Sequence, residues 1–122
     1  MEKYVCSAPS TIFFACSGRS NVGQLANDAC RELTREGQGQ LFCLAGIGGH
    51  VSGIVESAKA SSTVIVVDGC GVKCAQKVLE AANVPMTHHI VLTDCGIEKN
   101  GNLFPESTVV QSTKERIMAL VK

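Results

Sequence analysis

Residues 63–74 read TVIVVDGCGVKC, and this stretch indicates how the whole chain is organised. Residues 64–67 are β-branched and lack polar alternation, which is typical of a strand buried on both faces of a parallel sheet. A glycine-rich turn follows at residues 68–71, and the apolar residues after it keep helical spacing. The thiols of Cys70 and Cys74 are therefore predicted where a strand passes into a helix, close to the free amides and positive dipole end that favour a thiolate.

Similar strand patterns lie on either side of this stretch. Residues 11–16 (TIFFAC) and 41–45 (LFCLA) precede it, and residues 90–93 follow it. Helical spacing appears between them, with Ser20 or Asn21 as the N-cap of the first helix. Because alternating strands and helices require right-handed crossovers, we predict a mainly parallel sheet that is covered by helices on both faces.

The predicted fold is a small, Rossmann-like, three-layer α/β domain that comprises residues 1–122. Its sheet has four or five strands in the order 2-1-3-4, the fifth being a short edge strand at residues 103–104. The glycine-rich residues 46–50 are predicted to form a tight turn between a strand and a helix. The last helix is predicted over residues 113–122, with Thr113 as its N-cap. This strand order opens a crevice at the carboxyl ends of the first and third strands.

The composition narrows the class of protein. With 122 residues and 45% hydrophobic content, the chain can form one core. Its 11 basic and 11 acidic residues form no run of one sign, which argues against nucleic acid or a membrane surface as a partner. The first residues lack the features of a signal peptide, and no apolar run approaches the roughly 20 residues that span a bilayer. We therefore expect a cytoplasmic protein.

Cysteine is the unusual component, because the chain has seven of them. In a reducing compartment, such cysteines are more often metal ligands, redox thiols or ordinary core residues than structural disulfides. Cys16, Cys70 and Cys95 each follow a predicted strand, and Cys74 lies in the first turn of the next helix. Since parallel strands lie about 4.8 Å apart and zinc–sulfur bonds are about 2.3 Å long, neighbouring strand ends can share one ion. We predict a zinc site in which these four thiolates are the ligands.

Two other interpretations use the same thiols. Cys70 and Cys74 suit a thiol redox or sulfur-transfer protein in which Cys16 or Cys95 is the resolving thiol. The segment CSGRSN, which begins at Cys16, has the shape of a phosphate-binding loop with a nucleophilic cysteine. Its Arg19 follows the cysteine too closely for a phosphatase loop, so we retain only a weaker oxyanion-binding role for this segment.

The remaining cysteines have more ordinary expected roles. Cys43 and Cys30 are predicted to be core residues, since free cysteine packs as a small hydrophobe. Cys6 lies in a polar lead-in segment, and both a ligand role and an exposed position stay open for it.

Polar and glycine residues near the same edge have predicted supporting roles. Asp68 and Asp94 each lie near a strand end, where we expect them to cap the turn, and the alternative role is a hydrogen bond to a ligating group. Gly69 and Gly71 are expected to let the backbone approach the metal. His50 is a candidate additional ligand that we expect to begin a helix instead. The two histidines at residues 88–89 precede the fourth strand and are expected on the surface.

Three segments carry a resemblance to a known family. The triplet DGC at residues 68–70 follows a buried strand and is completed by Cys74, CSGRSNVGQLANDA occupies residues 16–29, and DCGIEK occupies residues 94–99. Together they resemble the DGC-domain family of zinc-binding proteins over nearly the whole chain. The resemblance implies a cysteine-rich α/β domain that binds metal through the four cysteines named above, and it implies no particular reaction.

Overall fold

A computed structural model describes residues 10–121 of the chain, and strands alternate with helices through most of them. The alternatives considered for Cys6 fall outside the described residues. Within them, no helix combines the length and the apolar character that crossing a membrane demands. The elements are β1 (Thr11–Ala15), α1 (Asn21–Arg35), β2 (Gln40–Leu41), α2 (Leu44–Gly48), α3 (Ser52–Ala60), β3 (Thr63–Asp68), α4 (Cys74–Ala81), β4 (His88–Val91), a 3₁₀ turn (Leu92–Cys95) and α5 (Ser107–Ala119).

The four strands are all parallel and lie in the order β2-β1-β3-β4, which confirms the predicted α/β fold and strand order. The register pairs Ala15 with Val67 and Asp68 with Val91. The carboxyl ends of β1, β3 and β4 are therefore aligned, and the residues that follow them meet at one edge. Residues 103–104 lie in an irregular segment, so the fifth strand predicted there is absent from the described part of the sheet.

Helices cover both faces of the sheet because alternate residues of each strand face opposite sides. One face packs against α1 and α5, and the other packs against α2, α3 and α4. The central strands β1 and β3 are consequently buried on both faces, as their unbroken apolar runs predict. The strand residues of the first cluster are Phe13, Ala15, Ile65 and Val67, and those of the second are Ile12, Phe14, Val64 and Val66.

The second strand differs from the prediction. β2 covers only Gln40–Leu41, and α2 begins at Leu44, so the glycine-rich segment is largely helical instead of a turn. Cys43 explains the early helix start, because its Sγ accepts a hydrogen bond from the Gly46 N–H at 3.2 Å. The Cys43 side chain is exposed, so its predicted core position was wrong. Gly46 packs closely on Ile54, because a Cβ added at Gly46 would lie 2.4 Å from Cδ1 of Ile54.

The terminal helix also begins earlier than predicted. α5 starts at Ser107, and Thr113 lies inside it, where its hydroxyl donates to the Val109 carbonyl at 2.8 Å instead of capping the helix. Thr113 is fully buried because α5 packs along α1. The buried Lys114 ammonium joins the two helices by ion pairs with Glu32 and Glu36. The hydrogen bonds that the Lys114 ammonium donates to Glu36 and to Glu32, with the one to Glu36 having the larger effect, raise the pKa of Lys114 above its ordinary value.

Candidate thiol site

Three of the four predicted zinc ligands line one pocket at the carboxyl edge of the sheet. The pocket has a volume of about 290 Å³, and Cys16, Cys70 and Cys74 contribute their side chains to its wall. Two cationic residues, Arg19 and Lys99, line the same pocket. Cys74 is exposed, whereas Cys16 and Cys70 are half-buried. The pocket therefore combines three thiols with positive charge in the crevice that the strand order predicts.

Cys16 lies where the carboxyl ends of β1 and β3 meet. It directly follows β1, and its Sγ accepts a hydrogen bond from the Gly69 N–H at 3.3 Å. Burial raises the pKa of the Cys16 thiol, while the N–H groups of Gly18 and Gly69 act in the opposite direction. The nearby charges of Asp68 and Cys74 raise the pKa further. Cys16 and Cys74 thus lie in one pocket although they are 58 positions apart in the sequence.

The Asp68 carboxylate anchors the loop that carries Cys70 and Cys74. The residue is 1% exposed, and its two oxygens accept hydrogen bonds from the Ala75 N–H at 2.8 Å and the Gln76 N–H at 3.2 Å. Asp68 therefore caps α4, which agrees with the predicted capping role. Its Oδ2 also lies 2.8 Å from Nε2 of His89, a partner that the sequence analysis placed on the surface. That expectation was wrong because β4 begins at His88, so His89 lies within the sheet beside β3.

Gly69 allows the thiol loop to pack on the start of α1. An added Cβ at Gly69 would lie 2.8 Å from the carbonyl carbon of Val22 and 2.9 Å from the nitrogen of Gly23. By contrast, a Cβ at Gly71 would meet no atom within 4 Å. The atoms that crowd Gly69 thus belong to α1, which gives this glycine a packing role. The approach of Gly69 and Gly71 to a metal stays a prediction.

A loop distant in sequence completes the pocket. Asn21, the first residue of α1, donates through Nδ2 to the Glu98 carbonyl at 2.8 Å and accepts through Oδ1 from the Asn100 N–H at 2.6 Å. The Asn21 N–H also donates to the Asn100 carbonyl at 2.9 Å. These bonds place the Lys99 ammonium 3.4 Å from Sγ of Cys70. Sequence reasoning missed both Asn21 and Lys99 in these roles, because nothing local in the chain indicates contacts across almost 80 positions.

Cys95 has a different environment from the other three predicted ligands. It ends the 3₁₀ turn, and its Sγ donates to the Val91 carbonyl at 3.7 Å. It is half-buried and does not line the pocket that Cys16, Cys70 and Cys74 share. The structure therefore brings three of the four predicted ligands to one pocket and leaves the fourth outside it.

The other candidates lie away from the thiol pocket. Cys30 is fully buried on α1, as predicted, and burial raises its pKa to about 12, so it remains a thiol. His50 is exposed after α2 and has a left-handed backbone with φ of 57°. Neither residue lines the thiol pocket.

The donor set of the pocket suits zinc in its chemistry. Thiolate is a preferred zinc ligand, and catalytic zinc sites commonly use three protein ligands and leave one position open. Within residues 10–121, however, no three cysteine, histidine or acidic side chains are already arranged around one point as ligands. Binding would therefore require the cysteine side chains to turn toward a common centre. The exposed Cys74 has the most freedom to do so.

Comparisons with known proteins identify the family of this chain. The family model of the DGC domain matches residues 12–117 of the chain. A Pseudomonas aeruginosa protein, the anaerobic and virulence modulator AnvM, is 37% identical over 91 residues, which cover 75% of this chain and 70% of that protein. No solved structure matches the chain.

Proposed function

The chain belongs to the DGC-domain family, and on this basis we propose that it binds a zinc ion through cysteine thiolates at the carboxyl edge of its sheet. Cys16, Cys70 and Cys74 are the proposed core ligands. The observation that carries the proposal is that these three thiols, from two separate segments, line one pocket of about 290 Å³. Cys95 stays a predicted fourth ligand, and its thiol would have to leave the Val91 carbonyl to join them.

The charges around the pocket support a thiolate site. Three thiolates and one Zn²⁺ carry a net charge of about −1, and burying such a charge is costly unless it is paired. Arg19 and Lys99 line the pocket and supply the opposite charge. When bound, zinc would either stabilise the fold or polarise a ligand at an open coordination position.

The name of the related protein suggests a regulatory purpose for such a site. AnvM is named as a modulator of anaerobic and virulence functions. We extend this to a regulatory role for the present chain. In this role, loss of zinc or oxidation of the cysteine ligands converts the protein from its zinc-bound form to a zinc-free form. Because thiols remain reduced in the cytoplasm, we place the protein in that compartment.

Zinc content measured on freshly purified protein tests the proposal. We expect about one zinc per chain, and Cys16→Ser, Cys70→Ser and Cys74→Ser should each lower the content to less than about a fifth of that value, because each variant removes a thiolate ligand. Zinc released by a thiol-blocking reagent, followed with a colorimetric chelator, gives the same number independently. Cys95→Ser should lose less zinc than Cys70→Ser, since Cys95 lies outside the pocket.

Cys43→Ser is the matched control, because Cys43 is exposed and does not line the thiol pocket. Its zinc content should equal that of the wild-type protein. Metal-free wild-type protein that also fails to take up added Zn²⁺ would contradict the proposal. A full zinc content in the Cys70→Ser variant would remove Cys70 from the ligand set.

A second candidate function is thiol redox or sulfur transfer, and the contact between Lys99 and Cys70 favours it. The Lys99 ammonium donates to Sγ of Cys70 at 3.4 Å, which gives this sulfur a cationic neighbour. Cys74 and Cys16 line the same pocket and are available as resolving thiols. Together with Arg19, Lys99 would attract an anionic sulfur compound to the pocket.

Lys99→Met tests this second candidate. The variant should slow the reaction of Cys70 with the anionic disulfide DTNB by roughly threefold, because exposed charge pairs contribute about 0.2–1 kcal/mol. The reaction with a neutral dipyridyl disulfide should change less. Lys77→Met, which removes an exposed lysine of α4 outside the pocket, is the control. Equal slowing with both reagents would argue against an electrostatic role of Lys99.

A further inference from the structure

A second cavity lies beside the thiol pocket and differs from it in chemistry. It has a volume of about 470 Å³ and opens at the carboxyl ends of β1 and β2. Cys16 lines both cavities. Among residues 10–121, no charged side chain lines the second cavity, whereas Arg19 and Lys99 line the thiol pocket. Since small-molecule sites typically measure about 300–1,000 Å³, this cavity is large enough for an uncharged ligand of its own.

The walls of this uncharged cavity are mainly apolar, and they pack against the core of the domain. Phe42, Leu44 and Val78 line it and also pack against the core cluster on that face of the sheet. The Phe42 ring meets Phe14 edge to face, with ring centres 6.0 Å apart. One amide also lines the cavity: Asn27 of α1 is half-buried, and its side chain makes no hydrogen bond to another described residue. The cavity thus pairs an apolar surface with the side-chain amide of Asn27, and the Ser17 hydroxyl lines it as well.

Cys43 brings a thiol to the rim of the uncharged cavity. The residue is exposed, and it lines the cavity on the side of α2. Its Sγ is fixed in position by the hydrogen bond from the Gly46 N–H at 3.2 Å. This thiol has no part in the proposed zinc site, because it does not line the thiol pocket. Cysteine sulfur is intrinsically nucleophilic, and this accessible one lies beside an apolar wall where it can attack a bound apolar electrophile.

From this arrangement we propose that the uncharged cavity binds small neutral α,β-unsaturated carbonyl compounds and that Cys43 adds to them. The apolar body of the ligand contacts Phe42, Leu44 and Val78, and its carbonyl oxygen accepts from the Asn27 amide. The Cys43 sulfur forms a bond to the β-carbon, and the electron pair of the carbon–carbon double bond moves toward the carbonyl. The proton lost by the thiol is balanced by the proton gained at the α-carbon, so the addition needs no oxidant or reductant.

The proposal is tested with two neutral probes that differ in apolar size, N-phenylmaleimide and N-methylmaleimide. The protein is reduced and treated with a chelator, and the rate at each cysteine is measured by peptide mass mapping. We expect the ratio of the two rates at Cys43 to exceed the ratio for glutathione by about tenfold, equivalent to about 1.4 kcal/mol, because only the phenyl ring fills the cavity. Cys74, which is exposed and lies outside the cavity, should give a ratio near that of glutathione.

Gly48→Leu supplies a variant that fills the cavity. An added Cβ at Gly48 would lie 3.7 Å from Cγ1 of Val78, which is ordinary contact, so the side chain fits the backbone and extends toward the cavity wall. This variant should abolish the preference for the phenyl probe at Cys43. Gly53→Leu is the matched control, since an added Cβ there meets nothing within 4 Å and Gly53 does not line the cavity, so the preference should persist.

Equal rate ratios at Cys43 and Cys74 in the wild-type protein would overturn the proposal without any variant. An unchanged preference in Gly48→Leu would also overturn it. The Gly48→Leu outcome and the comparison with glutathione are read at Cys43 alone, which is separate from the proposed zinc ligands, so failure of this inference and failure of the zinc proposal remain distinguishable.

Discussion

Replacing Asp68 by alanine is expected to destabilise the protein by about 3–5 kcal/mol, because several hydrogen bonds to one buried carboxylate are lost together. The carboxylate is 1% exposed and accepts hydrogen bonds from the N–H groups of Ala75 and Gln76. Its Oδ2 also lies 2.8 Å from Nε2 of His89. The variant leaves the N–H of the fully buried Ala75 and the N–H of the partly buried Gln76 without this acceptor. Urea unfolding followed by circular dichroism measures the loss.

Asp94→Ala is the matched control for Asp68→Ala. Both aspartates follow the apolar part of a strand and precede a Gly or Cys, so the sequence alone makes them look alike. Asp94 is exposed, so its replacement should change the free energy of unfolding by less than about 0.5 kcal/mol. Similar losses in the two variants would contradict the anchoring role of Asp68. The Asp68→Ala variant should also bind less zinc, because its α4 cap holds the loop that carries Cys70 and Cys74.

Replacing Gly23 by alanine is expected to cost about 2–4 kcal/mol of stability, since it forces an overpacked contact against backbone. An added Cβ at Gly23 would lie 2.5 Å from the nitrogen and 2.6 Å from the oxygen of Gly18. These atoms belong to the loop between Cys16 and α1, so the clash cannot be relieved by turning a side chain. The loop must move, and Cys16 and Arg19 move with it. Thermal unfolding and zinc content of the variant measure both effects.

Gly53→Ala provides the comparison for Gly23→Ala. Gly53 also lies in a helix, α3, but an added Cβ there meets nothing within 4 Å. Because alanine favours a helix over glycine by about 1 kcal/mol, this variant should be slightly more stable than the wild-type protein. If Gly23→Ala is also neutral or stabilising, the close approach of α1 to the Gly18 loop does not require a glycine at position 23.

Some features of the site could be predicted from single segments. Cys16 and Cys70 follow apolar strands, and parallel pairing alone places them at one edge. Ser20 was one of two predicted N-caps, and its hydroxyl accepts from the Gly23 N–H at 3.1 Å. The capping role of Asp68 likewise follows from its position directly before the Gly69 turn. In each case the signal lies within a few residues of the group concerned.

Other features had no local signal or a misleading one. Cys43 follows an apolar run that predicts a buried strand, yet the chain turns into α2 directly after Leu41 and Phe42 and exposes the thiol. His89 precedes what the sequence analysis took as the start of β4, but the register pairs it with Val66 and brings its ring to Asp68. Such errors arise because contacts with other strands and helices decide where a short element begins. The intrinsic strand propensity of a few residues is too weak to indicate that position.

The sequence by itself determined the layered α/β core of this protein, since unbroken β-branched runs and helical spacing encode which faces are buried. Only the tertiary structure decided which functional groups meet. It gathered Cys16, Cys70 and Cys74 in one pocket with Lys99, left Cys95 against the Val91 carbonyl, and opened an uncharged cavity beside Cys43. The physical reason is that apolar periodicity is a local property, whereas the meeting of side chains depends on loop contacts between residues far apart in the chain, such as those of Asn21 with Glu98 and Asn100.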